Sequence, residues 1–386
     1  MSSSTRPPAA ELAQPDPPRL TRRHALLGAA ALLAPFAPRL VIADATPVAT
    51  AATDPILLNG NENPYGPSPA ARQAIISSAG SAPRYANASI DRLASQIAAR
   101  EGVPTAQIAI GSGSGELLRM AGLLASTTAP GSEIVAARPT YEELPEFAER
   151  LGLTLRWVAP DAAHRHDLPA MRAAIGERTS VVYVCNPNNP TGAAVTREAL
   201  ATFIRSVPAT IHVIVDEAYI DFADAAGVAS VAPLVQQVPN LVVLRTFSKI
   251  HGLAGLRVGY AISSAALSKP LADLSLVWPN TTGIDAALAS YNDHEFLQTT
   301  RAAILADRAR VQAEIDRLGL PRAESQGNFV FFDTGRPVQE FRERMLAQGL
   351  KVGRNFNGYD NWSRTTIGRR QEVDRFLAAL PKALGA

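Results

Sequence analysis

One lysine of this sequence stands directly after a predicted buried strand. The segment Thr246-Phe247-Ser248-Lys249 closes the apolar run LVVLRT at 241–246. An isolated ammonium is costly to desolvate, and a Schiff base with a carbonyl compound avoids that cost by replacing the free ammonium. Lysines in such places have shifted pKa values and act as nucleophiles. The alternative is a lysine whose charge reaches solvent, so the interpretation of Lys249 depends on the residues that accompany it.

Polar side chains follow two further apolar runs. Asp216 ends the run HVIVD, Tyr219 comes three residues later, and Asn189 follows the run VVYVC within NNPTG. Open α/β sheets bind ligands at the carboxyl edge of their strands. A carboxylate there can pair with a protonated pyridine nitrogen, and Tyr219 and Asn189 can reach an oxygen on the same ring. The alternatives are a solvated acidic turn and an ordinary Asn-Pro-Gly turn.

A glycine-rich segment, GSGSGE at 111–116, lies between a predicted strand and a predicted helix. Small residues let backbone N–H groups approach a phosphate at a helix N-terminus. Arg257 can add a bidentate phosphate contact, with hydroxyls from Ser248 and Thr246. Tyr141 begins a predicted helix and can stack on a planar ring. Glycine-rich loops are common, so this segment indicates a phosphate site only in combination with Lys249.

Short apolar runs alternate with helical patterns along most of the chain. This alternation predicts an α/β fold with a mostly parallel sheet covered by helices on both faces. A long helical pattern over 283–318 predicts a helix that bridges to a smaller α+β domain. The predicted strands lie at 107–111, 133–137, 181–185, 212–216, 241–246, 256–262 and 328–333, and the predicted helices include 68–80, 88–101, 115–126, 141–151 and 196–206.

Together these motifs resemble the fold-type I pyridoxal-phosphate enzymes of aminotransferase class I and II. Within that class the chain is most similar to the histidinol-phosphate aminotransferase group. The resemblance spans about 54–386. The matching segments are NENPYGP at 61–67, RY at 84–85, GSGSGE at 111–116, RPTY at 138–141, NPNNPTG at 186–192, DEAYIDF at 216–222 and TFSKIHGLAGLRVGY at 246–260.

The resemblance implies a role for each matching residue. Lys249 carries pyridoxal 5'-phosphate as a Schiff base and moves the proton, Asp216 pairs with the pyridine nitrogen, and Tyr141 stacks on the ring. Asn189 and Tyr219 bond the ring oxygen. The phosphate is held by Ser114, Gly115, Thr246, Ser248 and Arg257, and the substrate by Arg364, Arg354 and Asn63. Tyr85 reaches the phosphate of a partner subunit, which implies a homodimer.

Two departures from the family pattern stand in or beside this set. Gly115 replaces the usual carboxylate or amide of the phosphate loop, and Ile250-His251 replaces a small-then-aromatic pair. The amino donor and acceptor stay open. A decarboxylase, lyase or racemase on the same fold is the alternative reaction, since the cofactor carries the chemistry. A non-catalytic pyridoxal-phosphate-binding module is disfavoured because Lys249 and Asp216 are both present.

The first 45 residues predict an export signal. Thr21-Arg22-Arg23 precedes a short apolar run, and Ala43-Asp44-Ala45 supplies a small-residue cleavage site. The paired arginines indicate the twin-arginine route. The apolar run is shorter than the ~20 residues that span a bilayer. We therefore expect a periplasmic enzyme with no stable membrane span after cleavage, the cytoplasm being the alternative. We expect an arm at 46–85, a cofactor-binding domain at 86–290 and a small domain at 291–386.

Composition excludes several other classes of protein. The formal net charge is only +2, and no long basic run is present, so nucleic-acid binding is not predicted. The single cysteine, Cys185, lies in an apolar run, which predicts a buried strand residue rather than a nucleophile. His164 and His166 lie in a polar loop without a ligand pattern, so no metal is assigned.

Overall fold

The computed structural model describes residues 54–275 and 277–385, and the predicted export signal lies outside them. The strands are β1 (Ile56–Leu58), β2 (Ile108–Gly111), β3 (Glu133–Ala137), β4 (Thr154–Val158), β5 (Thr179–Cys185), β6 (His212–Asp216), β7 (Leu241–Thr246), β8 (Gly259–Ser263), β9 (Phe329–Asp333), β10 (Leu350–Val352) and β11 (Trp362–Thr366). The α-helices are α1 (Pro69–Ser78), α2 (Asn87–Glu101), α3 (Ser114–Thr128), α4 (Glu143–Arg150), α5 (Leu168–Ala174), α6 (Arg197–Ser206), α7 (Ala265–Asp273), α8 (Thr281–Tyr291), α9 (His294–Arg317), α10 (Val338–Ala347) and α11 (Arg370–Leu384).

Seven strands form the main sheet, in the order β2-β8-β7-β6-β5-β3-β4. Strand β8 runs antiparallel to both of its neighbours, and the remaining pairs are parallel. All seven residues of β5 are buried, as expected for a central strand covered on two faces. The prediction of a mostly parallel α/β sheet is confirmed.

Helices cover both faces of this sheet. Successive residues of a strand point to opposite faces, and along β5 Val182 and Val184 join one hydrophobic cluster while Val181 and Tyr183 join another. The first cluster includes side chains of α2 and α6, and the second includes side chains of α3 and α4. Cys185 is fully buried in the second cluster, so the prediction of a buried cysteine is also confirmed.

A third hydrophobic cluster is built mostly from α9, α10, α11, β9 and β10. Leu58 of β1 belongs to it, because β1 pairs in parallel with β10. Part of the predicted arm is thus a strand of a small sheet, while β9 and β11 pair antiparallel as a second small sheet. The boundaries at 86–290 and 291–386 stay predictions.

The helical pattern at 283–318 is not one helix, so that prediction was wrong. It is divided between α8 and α9, because the Asp293 side chain accepts the Phe296 N–H at 3.2 Å and starts α9 afresh. Asp is among the preferred N-cap residues. Among the described residues, no helix combines the length and apolar character needed to cross a membrane.

Candidate active site

Three neighbouring parallel strands deliver the central side chains of the site. Strands β5, β6 and β7 are adjacent and end at Cys185, Asp216 and Thr246. The loops after them carry Asn189, Tyr219 and Lys249. Since the carboxyl ends of parallel strands meet at one edge of the sheet, these loops converge there.

Lys249 is half-buried and lies over Tyr219. Its Nζ is 5.4 Å from the Tyr219 ring centroid and donates to the Gly60 carbonyl at 3.4 Å. Burial, and then the positive charge of Arg364, lower the pKa of Lys249 to about 8. A substantial share of this amine is therefore neutral, and nucleophilic, near physiological pH.

Asp216 is a buried carboxylate at the end of β6, only 1% exposed. Its Oδ1 accepts the Ala218 N–H at 3.0 Å, and Oδ2 accepts the Tyr183 hydroxyl at 3.5 Å. Burial raises the pKa of Asp216 to about 6. Each oxygen keeps a lone pair, so the carboxylate can still accept a hydrogen bond from a protonated ring nitrogen.

An anion cradle lies at the start of α3. Helix α3 begins at Ser114, so its first N–H groups have no intrahelical partner. Arg257 Nη1 donates to Ser248 Oγ at 3.4 Å, and Thr246 Oγ1 accepts the Ser248 N–H at 3.1 Å. A Cβ added to Gly113, whose φ is +88°, would lie 2.4 Å from Arg257 Nη2. Glycine at 113 thus lets the guanidinium pass beside the helix N-terminus.

Gly115, the second residue of α3, has a different environment. A Cβ at this position would lie 3.7 Å from Glu143 Cγ, which is an ordinary contact. The departure at Gly115 is therefore not forced by space, and its backbone N–H remains at the helix start whatever the side chain.

Arg364 of β11 is a buried cation, 9% exposed. Its Nη1 donates to Asn189 Oδ1 and its Nη2 to the Asn59 carbonyl, both at 2.6 Å. Its Nε has no hydrogen-bond partner. Among the described residues, no carboxylate forms an ion pair with it. Because Asn189 presents its oxygen to Arg364, its NH2 group is left to donate to a ring oxygen.

The side chain that hydrogen-bonds Tyr219 is Asn61, which was not among the predicted site residues. Asn61 Nδ2 donates to the Tyr219 hydroxyl at 3.1 Å, which leaves the hydroxyl proton free for another acceptor. Asn63, the predicted substrate residue, donates to the Ile250 carbonyl at 2.7 Å and accepts the Tyr65 N–H at 3.0 Å. Both polar atoms of the Asn63 side chain thus have backbone partners. Asn61 is the first residue of the same NENPYGP motif, and this position in the motif is the sequence signal that could have identified it.

Tyr141 is half-buried after β3 and packs against the hydrophobic cluster that contains Tyr183 and Cys185. Its hydroxyl lies 3.5 Å from Glu143 Oε2. Burial, and then the charges of Glu143 and Asp216, raise the pKa of Tyr141 to about 12. The hydroxyl therefore stays neutral at physiological pH, and its ring is available for stacking.

Two predicted residues are exposed to solvent. Arg354 is exposed, and its Nη2 donates to Glu142 Oε2. Tyr85 is 84% exposed, with its ring 5.7 Å from that of Trp278. The structure of one chain does not bring Tyr85 together with Lys249, so its predicted role requires a partner subunit.

Other features are separate from this set. A cavity of about 760 Å³ between α5 and α6 is lined by none of the predicted residues, so cavity size does not identify the site. His164 contacts the Tyr359 hydroxyl, and His166 contacts the Cys185 carbonyl. In the part of the chain that the structure describes, no cluster of three or more His, Cys, Asp or Glu side chains is arranged to hold a metal.

The comparison with protein families decides what this arrangement is. The model of the family "Aminotransferase class I and II" matches residues 53–380. The chain belongs to this family. It is a pyridoxal-phosphate-dependent aminotransferase of fold type I, and the resemblance inferred from the sequence is confirmed.

Individual relatives agree with this assignment. The chain is 38% identical to a histidinol-phosphate aminotransferase of Moorella thermoacetica, over 86% of each chain. It is 37% identical to an aromatic amino acid aminotransferase of Streptomyces avermitilis, over 86% of this chain and 91% of the relative. The structure of histidinol-phosphate aminotransferase from Sinorhizobium meliloti, in complex with pyridoxal-5'-phosphate, aligns with a TM-score of 0.80 at 28% identity. That alignment covers 86% of this chain and 91% of the other.

The described residues fit this cofactor. The buried carboxylate of Asp216 suits a pyridine nitrogen, and the neutral fraction of the Lys249 amine suits a carbonyl carbon. A Cβ at Gly113 would collide with Arg257, so glycine there keeps a guanidinium beside the N-terminus of α3, where a phosphate can bind. When bound, pyridoxal phosphate supplies an electron sink that weakens the bonds at the substrate Cα.

Proposed function

We propose that this aminotransferase accepts amino donors that carry a free α-carboxylate, and that Arg364 binds this carboxylate. The observation that carries the proposal is the buried guanidinium of Arg364, which has two neutral hydrogen-bond partners and no ion pair with any described carboxylate. A buried cation is costly without an anion. A substrate carboxylate supplies that anion next to Asn189 and on the same side of the site as Lys249.

The other residues of the site transfer the proton and hold the cofactor ring. Lys249, as a neutral amine, would take the proton from the substrate Cα and pass it to the cofactor carbon that receives the amino group. The Asp216 carboxylate holds a proton on the ring nitrogen. Tyr219 and Asn189 would donate to the ring oxygen and so orient the ring, and Tyr141 would stack on the ring.

The experiment compares an amino acid with the amine that lacks only its carboxylate. Purified holoenzyme is mixed with L-phenylalanine, or with 2-phenylethylamine, and no keto acid is added. Conversion of the cofactor to its pyridoxamine form is followed by absorbance. We expect the amine to react at least about 30-fold more slowly, since loss of a buried charged partner costs about 2–5 kcal/mol. Equal rates in a panel of such pairs would refute the role of Arg364.

We also propose that the enzyme is a homodimer in which Tyr85 enters the partner's site. Tyr85, Val277 and Trp278 are apolar or aromatic side chains exposed by 84%, 57% and 64%. An exposed patch of this kind favours a protein interface. Val277 is joined to the phosphate loop, since its carbonyl accepts the Ser112 hydroxyl at 3.3 Å. The patch is therefore continuous with the cofactor cradle.

Subunit mixing tests this arrangement directly. Lys249→Ala and Tyr85→Ala variants should each be weak alone. If Tyr85 acts in the partner's site, a mixed dimer contains one site with both native residues, and activity returns after the subunits are exchanged. No recovery in demonstrably mixed dimers, or a monomeric holoenzyme with full activity, would contradict the proposal.

We further propose that the enzyme is exported to the periplasm by the twin-arginine route, with the mature chain beginning near Thr46. Residues 1–52 lie outside the family match. They contain Arg22-Arg23, the short apolar run and the Ala43-Asp44-Ala45 site in the order of an export signal. A folded, cofactor-loaded enzyme suits a route that carries folded proteins.

A further inference from the structure

A salt bridge between Arg354 and Glu142 lies near Arg364. Glu142 immediately precedes α4, and Arg354 follows β10. Arg354 Nη2 donates to Glu142 Oε2, and Arg354 Nη1 donates to the Asn355 carbonyl at 3.1 Å. The Arg354 side chain is 55% exposed and that of Glu142 is 34% exposed. The pair thus remains in contact with solvent, where an incoming substrate can meet it.

One aromatic ring connects this pair to Arg364. The Cζ atoms of Arg354 and Arg364 lie 4.6 Å and 5.2 Å from the centroid of the Phe356 ring. The charge of Arg354 is also among the causes that lower the pKa of Arg364. The two guanidiniums thus flank one ring and interact electrostatically, so a charge change at Arg354 is felt at Arg364. Glu142 lies just before α4 and Arg354 just after β10, so their ion pair joins two segments that are distant in the sequence.

The charges decide which anion fits. An α-carboxylate has one negative charge, and the unpaired Arg364 matches it. A phosphomonoester carries about −1.5 to −2 charges at neutral pH and extends further from Cα. It requires a second cation, and Arg354 is the neighbouring one. Arg354 is already paired with the Glu142 carboxylate. A phosphomonoester must therefore either displace the Glu142 carboxylate or be repelled by it.

We propose that Glu142 determines substrate specificity by neutralising Arg354. The anion clamp then accepts an α-carboxylate and discriminates against a phosphomonoester in the same position. This inference rests on the proposed carboxylate-binding role of Arg364. It applies to histidinol phosphate, in which a phosphorylated hydroxymethyl group replaces the carboxylate of histidine. An unfavourable contact with the wrong ligand is a general means of achieving specificity.

The test is the variant Glu142→Gln, which keeps the size of the side chain and removes its charge. Binding of L-histidinol phosphate, as substrate or as competitor, is compared with that of L-histidine and L-phenylalanine. In the native enzyme we expect histidinol phosphate to bind at least about tenfold more weakly than the better amino acid. In Glu142→Gln we expect its binding to improve at least about tenfold, with amino-acid binding within about threefold of native.

A matched control is Glu146→Gln. Glu146 lies one turn further along α4, lines the same cavity of about 130 Å³ as Glu142, and pairs with Arg150 at 3.7 Å instead of Arg354. This control should leave the ratio of phosphate to carboxylate ligands unchanged. Thermal melting and cofactor absorbance show whether each variant folds and binds the cofactor.

Two outcomes would overturn the inference. One is a native enzyme that binds histidinol phosphate as well as it binds amino acids, a result that needs no variant. The other is a folded Glu142→Gln variant in which the ratio does not change. Failure of the Arg364 proposal is recognised separately, because the carboxylate-free amine would then react as fast as its amino acid.

Discussion

The substitution Arg364→Ala tests the substrate site most sharply. The change removes a buried guanidinium and its hydrogen bonds, both at 2.6 Å, to the Asn189 side chain and the Asn59 carbonyl. Loss of the charged partner should weaken binding of the substrate carboxylate by about 2–5 kcal/mol, or roughly 30-fold to several thousand-fold. Two acceptors also lose their donors, at about 1–3 kcal/mol each unless water replaces the guanidinium.

The free enzyme should lose much less stability than substrate affinity. Native Arg364 is a buried cation without a described ion pair, so its removal also relieves an unfavourable burial. Its charge further helps to lower the pKa of Lys249. Without that charge the Lys249 pKa should rise above about 8, and uptake of the cofactor by the apoenzyme should require a higher pH.

The assay is the half-reaction with increasing amino acid, followed by cofactor absorbance. Arg364→Ala should raise the apparent dissociation constant for the amino acid and leave the amount of bound cofactor near native. The slow reaction with the carboxylate-free amine should be unaffected. Arg364→Lys should be intermediate, since lysine keeps the charge but loses the two-point geometry. An unchanged substrate constant would refute the reasoning and make Arg354 the next candidate.

Four further predictions concern the cofactor and the leader. Lys249→Ala should bind the cofactor only non-covalently and lose several orders of magnitude in turnover, and borohydride reduction should label the native peptide at Lys249 and at no other lysine. Cofactor uptake by the native apoenzyme should accelerate as pH rises through about 8, because the neutral amine reacts and the folded state lowers the Lys249 pKa. Asp216→Ala should bind the cofactor poorly and react slowly even when saturated, while Asp216→Glu should keep part of the activity. Full activity in Asp216→Ala would show that Asp216 is only a residue of a solvated turn. Arg22→Lys with Arg23→Lys should retain active holoenzyme in the cytoplasm, and uncleaved native protein in that compartment would contradict export.

The sequence predicted the centre of the site because each strand there is buried along its length. Continuous apolar runs marked β5, β6 and β7, and the polar residues after them had to lie at one edge of a parallel sheet. Asp216 and Lys249 were found in this way. The order of the three strands in the sheet was not needed for that conclusion.

The features that the sequence did not predict depend on pairing between distant segments. Strand β4 is an edge strand with exposed Thr154 and Arg156, so it lacks the apolar run that marked the others. The pairing of Ile56 with Leu350 joins segments far apart in the chain. Asn61 and Glu142 acquire partners only when the fold brings Tyr219 and Arg354 to them. Each of these contacts joins residues that are far apart in the sequence, so the residues around either partner do not reveal it.

The connection between β7 and β8 has a consequence for the local unfolding of the main sheet. Within it lie Lys249 and Arg257, and it leads into the single antiparallel strand of the main sheet. A Cβ added to Gly259, the first residue of β8, would lie 2.5 Å from the Ser114 nitrogen. The cofactor's attachment point, its anion cradle and strand β8 are thus in direct structural contact. Adding pyridoxal phosphate should slow hydrogen exchange of the β8 amides more than that of the β4 amides at the far end of the sheet. Cofactor binding would then stabilise this side of the main sheet against local unfolding.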